Sequence, residues 1–124
     1  MFCKYVMLLC RNFSSGKTPV IKATNVANNL MVDVLRFMPG RQILYLYSDL
    51  EDFLISNLKK ASDTQQKMPG LAQGFLGDAD FLQKYPQMSD PSRFSLLQVC
   101  ALTWLVNLYN FRYSLEHHGN APVR

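Results

Sequence analysis

The chain has little charge: Asp, Glu, Lys and Arg together make up 18% of its 124 residues, against 48% hydrophobic residues. That balance argues against a disordered segment and provides for a sizeable core in a single domain. Cysteine is also scarce. Cys3, Cys10 and Cys100 form no CxxC pair and do not cluster with His117 or His118. This spacing offers no metal ligand set and no disulfide framework, and it reads as reduced intracellular thiols in a cytoplasmic protein. There is no internal repeat and no low-complexity tract. The opening MFCKYVMLLCRNF lacks a small-residue cleavage site and reads as a core strand rather than a signal peptide. An unbroken membrane-length apolar run is missing too. FSLLQVCALTWLVNLYNF, residues 94–111, is interrupted by Gln98, Thr103, Asn107 and Asn110 and lacks a flanking basic cluster. A buried helix at the centre of the domain is the expectation there.

A phosphate-binding loop is hinted at but not present. SSGKTP, residues 14–19, follows an apolar run, yet Arg11 stands where the loop needs its first glycine. Pro19 follows Thr18 at once, and the β-branched VIKAT does not continue a helix. The stretch reads as a polar turn between two extended segments.

The formal net charge is +4, unevenly placed. Residues 1–62 carry eight Lys/Arg and four Asp/Glu, whereas residues 63–124 carry five of each. A basic half suits an anionic ligand, and scattered surface lysines produce the same imbalance.

The middle of the chain has the clearest pattern. PVIKAT reads as a buried strand. Asn25 caps a helix over VANNLMVDVLRFM, ended by Pro39-Gly40. QILYLYS reads as a second strand, five of its seven residues being aliphatic or aromatic. Asp49 or Ser48 then caps a helix over LEDFLISNLKK, with Leu50, Phe53, Leu54 and Leu58 on one face. Its acids, Glu51 and Asp52, lie in the first turn and its lysines, Lys59 and Lys60, in the last, as the helix dipole prefers. This order is a βαβα unit, so the expected class is α/β: a partial parallel sheet over residues 1–62 and a helical part over 63–124. Short helical pieces lead to a long helix from about Ser92 to about His117. Trp104, Tyr109 and Phe111 are expected in the core, and His117 and His118 at a helix end.

In open parallel sheets ligands bind beyond the carboxyl ends of strands, which draws attention to Lys22-Ala23-Thr24-Asn25 and Tyr47-Ser48-Asp49. At these residues the sequence resembles the sulfotransferase family, a branch of the phosphate-loop nucleotide fold. VIKATN supplies Lys22 at a strand end. ILYLYSDLEDFLIS supplies a strand followed by Asp52 and Ser56 at the offsets of the family's Arg-x-Pro-x-Asp-x-x-x-Ser. The resemblance covers about residues 17–60. It implies a 3'-phosphoadenosine 5'-phosphosulfate co-substrate, no metal, and sulfuryl transfer to a hydroxyl acceptor. By the same resemblance Lys22 is the catalytic candidate, and Ser48, Asp52 and Ser56 are donor-binding candidates. Lys59 and Lys60 are candidates to supply charge that the motif otherwise takes from arginine.

The departures are specific. Ser48 stands in place of the arginine, Leu50 in place of the proline, and Thr24 near the position of the family's histidine base. The family's first phosphate loop would lie upstream, which implies a fragment of a larger domain. The alternative function is a non-catalytic relic or interaction module with the same core. Nucleic-acid binding has little support, because the aromatic residues fall at core spacings.

Overall fold

The computed structural model describes residues 18, 20–22, 33, 34, 36, 43–77 and 80–118. The chain divides into two units, Met1–Arg41 and Gln42–Arg124. In the first, Asp33, Val34 and Arg36 are helical, inside the range expected for the helix over residues 26–38. Val20, Ile21 and Lys22 are in neither helix nor strand, and Val20 is 90% exposed. The core strand expected in the opening MFCKYVMLLCRNF lies outside the described residues.

The second unit is built from helices. They are α1 (Leu50–Leu58), α2 (Ser62–Gln66), α3 (Met68–Leu76), α4 (Phe81–Lys84) and α5 (Leu96–His118), with 3-10 turns at Pro86–Met88 and Pro91–Arg93. Among the described residues there is no strand. The expected partial parallel sheet of a phosphate-loop α/β fold is therefore corrected to a helical arrangement in the described part. At PVIKAT, residues 20–22 form no strand; at QILYLYS, residues 43–49 run without helix or sheet pairing into α1. The reason at QILYLYS is tertiary. Tyr45 stacks on Phe111 of α5, with ring centroids 4.3 Å apart, and the Trp104 indole N–H donates to the Ser48 carbonyl at 2.8 Å. The partner of this β-rich segment is thus the flank of a helix, and it runs antiparallel to α5 as a strap.

Helix boundaries follow local chemistry. Ser95 and Gln98 form a reciprocal cap at the start of α5: Gln98 N–H donates to Ser95 Oγ at 3.4 Å, and Ser95 N–H donates to Gln98 Oε1 at 2.9 Å. Phe94, just before the cap, packs against the cluster that holds Val99, which fixes the chain's entry into the helix. Lys67 both ends α2 and begins α3. Pro69, in the first turn of α3, has no N–H to offer the Gln65 carbonyl, so the two helices meet at a proline break.

The core lies mainly between α3 and α5. One cluster joins Phe75, Leu76, Phe81, Leu102 and Val106; a second joins Met68, Ala72, Val99 and Cys100, with Phe53 and Leu54 of α1 against it. Burying side chains of this size contributes about 1.5–3 kcal/mol each. The polar residues that interrupt the apolar run of α5 serve this packing. Thr103 Oγ1 donates to the Val99 carbonyl at 2.8 Å, and Ser114 Oγ to the Asn110 carbonyl at 2.7 Å. Asn110 reaches across to α3, its Nδ2 donating to the Phe75 carbonyl at 3.1 Å. That carbonyl is in the last turn of α3, where helix carbonyls lack intrahelical partners. α5 is thus the buried helix expected, and no helix of the described residues is long and apolar enough to cross a membrane.

Candidate functional site

α1 carries most of the donor-binding candidates. Its acids Glu51 and Asp52 occupy the first turn as expected. The helix ends at Leu58, so Lys59 caps it and Lys60 lies beyond, rather than both standing in its last turn. Asp49 is the N-cap residue, but its side chain accepts no capping bond. The face turned inward is Phe53, Leu54 and the buried Asn57, while Leu50 and Leu58 are 37% and 47% exposed.

A helix turns about 100° per residue, so Asp52, Ser56 and Lys59 fall on one line, away from Phe53, Leu54 and Asn57. All three are exposed, as is Ser48 ahead of the helix. Ser48 is the one held by its backbone, through the Trp104 indole. Asp52, Ser56 and Lys59 have no side-chain hydrogen bond or ion pair among the described residues. Ser56 is notable because helical serines commonly bond back to the carbonyl four residues earlier. Thr103 and Ser114 do so here, and Ser56 does not.

Lys60 is engaged elsewhere. Its ammonium donates to Asn57 Oδ1 at 2.8 Å, while Asn57 Nδ2 donates to the Phe53 carbonyl at 2.8 Å. Gln65 Nε2 then closes the end of α1, donating to the carbonyls of Leu58 at 2.8 Å and Lys60 at 3.1 Å. Lys60 is thus part of a structural C-terminal cap. Lys22 belongs to the first unit, where it is exposed.

Two polar arrangements escaped the sequence reading. The first ties α4 to α5: the Tyr109 hydroxyl donates to Asp80, Lys84 Nζ lies 2.7 Å from the Tyr109 oxygen, and Lys84 pairs with Asp80 at 3.1 Å. The Tyr109 hydrogen bond, then the Lys84 one, hold the Asp80 carboxyl below its ordinary value; Tyr109 and then Asp80 push Lys84 up, and the bond to Asp80 pushes Tyr109 up against an opposing effect of Lys84. Asp80 and Lys84 are one helical turn apart, a pattern legible in sequence; Tyr109, 29 residues from Asp80, is not. The second is a groove of roughly 450 Å³ lined by Gln87, Ser89, Asp90, Arg93 and Phe94, which includes none of the candidates above.

Trp104, Tyr109 and Phe111 are half-buried rather than deep in the core. His117 lies near the end of α5, as expected, with Nδ1 2.9 Å from the Tyr113 carbonyl and its ring stacked on Tyr113 at 4.0 Å. Among the described residues no group of three or more His, Cys, Asp or Glu could hold a metal ion.

No protein-family model matches this chain, and neither a curated protein nor a solved structure does.

Proposed function

We propose that the corner where residues 43–49 enter α1 binds the 3'-phosphate of a 3'-phosphoadenosine nucleotide, and that the chain is sulfotransferase-like and cytoplasmic. The observation that carries this reading is the Ser56 hydroxyl: exposed, without a partner among the described residues, and between Asp52 and Lys59 on one helix line. An extended segment followed by a helix with serine two turns in is also the local form that the motif resemblance calls for, though here outside a parallel sheet. In such a protein an acceptor hydroxyl oxygen bonds to the sulfur of 3'-phosphoadenosine 5'-phosphosulfate. The bond from sulfur to the bridging phosphate oxygen breaks, and the acceptor proton leaves to solvent. Positioning and charge stabilisation supply the rate enhancement in such a transfer.

A second reading, a non-catalytic interaction module, is favoured by Leu44 and Leu46, which are 78% and 74% exposed. Calorimetric titration with 3'-phosphoadenosine 5'-phosphate separates the two. The donor reading expects micromolar binding, weakened roughly tenfold by Ser56→Ala through loss of a hydrogen bond to a charged group. A folded chain that shows no binding rejects it and leaves the interaction module.

A further inference from the structure

The groove just ahead of α5 is lined by two opposite charges that do not pair with each other. Asp90 and Arg93 stand at the two ends of the 3-10 turn Pro91–Arg93, where side chains three residues apart eclipse, and both line the groove with Gln87, Ser89 and Phe94. No ion pair joins Asp90 to Arg93, or either of them to another described residue. Among the described residues the side chains of Arg93, Gln87 and Ser89 have no hydrogen bond. Asp90 is held through one oxygen alone. Its Oδ1 accepts from the Ser92 backbone N–H at 3.2 Å and from the Ser92 hydroxyl at 2.5 Å, and Oδ2 has no partner among the described residues. The scaffold beneath is fixed by the core. Pro91 is buried, and Phe94 packs against both core clusters while it also lines the groove.

We propose that this groove binds a free α-amino acid in its zwitterionic form, with an apolar side chain. Charge decides the ligand class. A simple anion entering the groove meets the Asp90 carboxylate, and a simple cation meets the Arg93 guanidinium. A ligand that carries an ammonium and a carboxylate on neighbouring atoms satisfies both. Arg93 offers the planar fork that matches a carboxylate, and Asp90 Oδ2 accepts from the ammonium. Gln87 and Ser89 supply further donors, and the half-buried Phe94 ring gives the ligand side chain an apolar surface. The groove of roughly 450 Å³ lies within the span of about 300–1,000 Å³ usual for small-molecule sites. Because the turn and the ring are already held by the core, binding has little left to order there. The groove includes none of the nucleotide candidates on α1, so this site does not depend on the proposed donor site.

Titration of the full chain with L-phenylalanine, followed in nitrogen–proton correlation spectra, tests it. The amides of Ser89, Ser92 and Phe94 are expected to shift and to saturate at roughly millimolar ligand, since both charge contacts face solvent. Phenylpropionate, which lacks the ammonium, and phenethylamine, which lacks the carboxylate, are each expected to bind roughly fivefold more weakly. Arg93→Gln should weaken L-phenylalanine by a similar factor and leave phenethylamine no weaker. Asp90→Asn, whose side chain can still accept from Ser92, should weaken L-phenylalanine and leave phenylpropionate no weaker. Unchanged amide positions elsewhere in the spectrum confirm that both variants keep their fold. No saturable shift at the three amides, or an analogue that binds as tightly as the amino acid, overturns the proposal. Variants that weaken all three ligands alike overturn the roles of Arg93 and Asp90.

Discussion

Tyr45 gives a test in which two substitutions at one position move stability in opposite directions. Its ring stacks on Phe111 at 4.3 Å, and its hydroxyl is buried without a hydrogen-bond partner among the described residues. A fully buried aromatic truncated to alanine costs about 3–5 kcal/mol; for the half-buried Tyr45 about 2 kcal/mol is expected. Tyr45→Phe keeps the stack and removes the orphan hydroxyl, whose burial costs about 1–3 kcal/mol, so it is expected to stabilise by about 1 kcal/mol. Thermal unfolding should then place Tyr45→Ala about 8 °C below the wild type and Tyr45→Phe about 4 °C above it, at about 4 °C per kcal/mol for a chain of this size. The pH dependence adds a second reading. Burial pushes the Tyr45 pKa above its ordinary value; the Ser114 hydroxyl is near enough to offset a lesser part, but its proton goes to the Asn110 carbonyl, which leaves the Tyr45 hydroxyl unsatisfied. A folded-state pKa above the unfolded one means that stability is present below the unfolded pKa and is lost as pH rises through the folded value. The wild type should therefore weaken in alkali more steeply than Tyr45→Phe. Equal destabilisation by both substitutions, or identical alkaline profiles, would refute the packing of the strap on α5.

Asn110→Asp places a carboxylate against the Phe75 carbonyl in the core and is expected to cost about 3 kcal/mol or more at neutral pH. Burial raises that new carboxyl's pKa, so urea unfolding should find the variant recovering as pH falls. Asp80 behaves in the opposite sense. Its depressed pKa means that the tie to Tyr109 and Lys84 is present above the ordinary carboxylate range and lost on acidification. Asp80→Asn should flatten the acid limb of the urea midpoint measured against pH. Gln65→Ala leaves the carbonyls at the end of α1 uncapped and is expected to cost about 1 kcal/mol by thermal melting, without altering α5.

The parts legible in sequence are those set by neighbours a few residues away. The Asp49 start of α1, the helical pieces around Pro69 and Pro91, and the burial of α5 all follow from local pattern and punctuation. The interruptions of the apolar run argued rightly against a membrane span, since Asn110 and Thr103 are polar residues the core uses. The sheet was misjudged for a physical reason. An extended strap and a strand show the same two-residue alternation, and ILYLYS has β-branched and aromatic residues suited to either. Which one forms depends on the partner, and Trp104 lies 56 residues from Ser48. The candidate site divides the same way. The motif offsets singled out Asp52 and Ser56 in sequence, whereas the line they share with Lys59 and the engagement of Lys60 by Asn57 needed the actual course and end of α1. The bond from Asn110 to Phe75 spans 35 residues and left no mark in the pattern.

The central structural claim is that residues 43–49 lie on α5 as a strap and do not join a parallel sheet. Trp104 is the single tryptophan, so its indole N–H gives one resolved peak in a nitrogen–proton correlation spectrum. Nuclear Overhauser contacts from that proton should reach the α-protons of Ser48 and Asp49, with ring contacts between Tyr45 and Phe111. If those contacts are absent and residues 43–48 instead show the regular interstrand contacts of a parallel ladder, the account is contradicted.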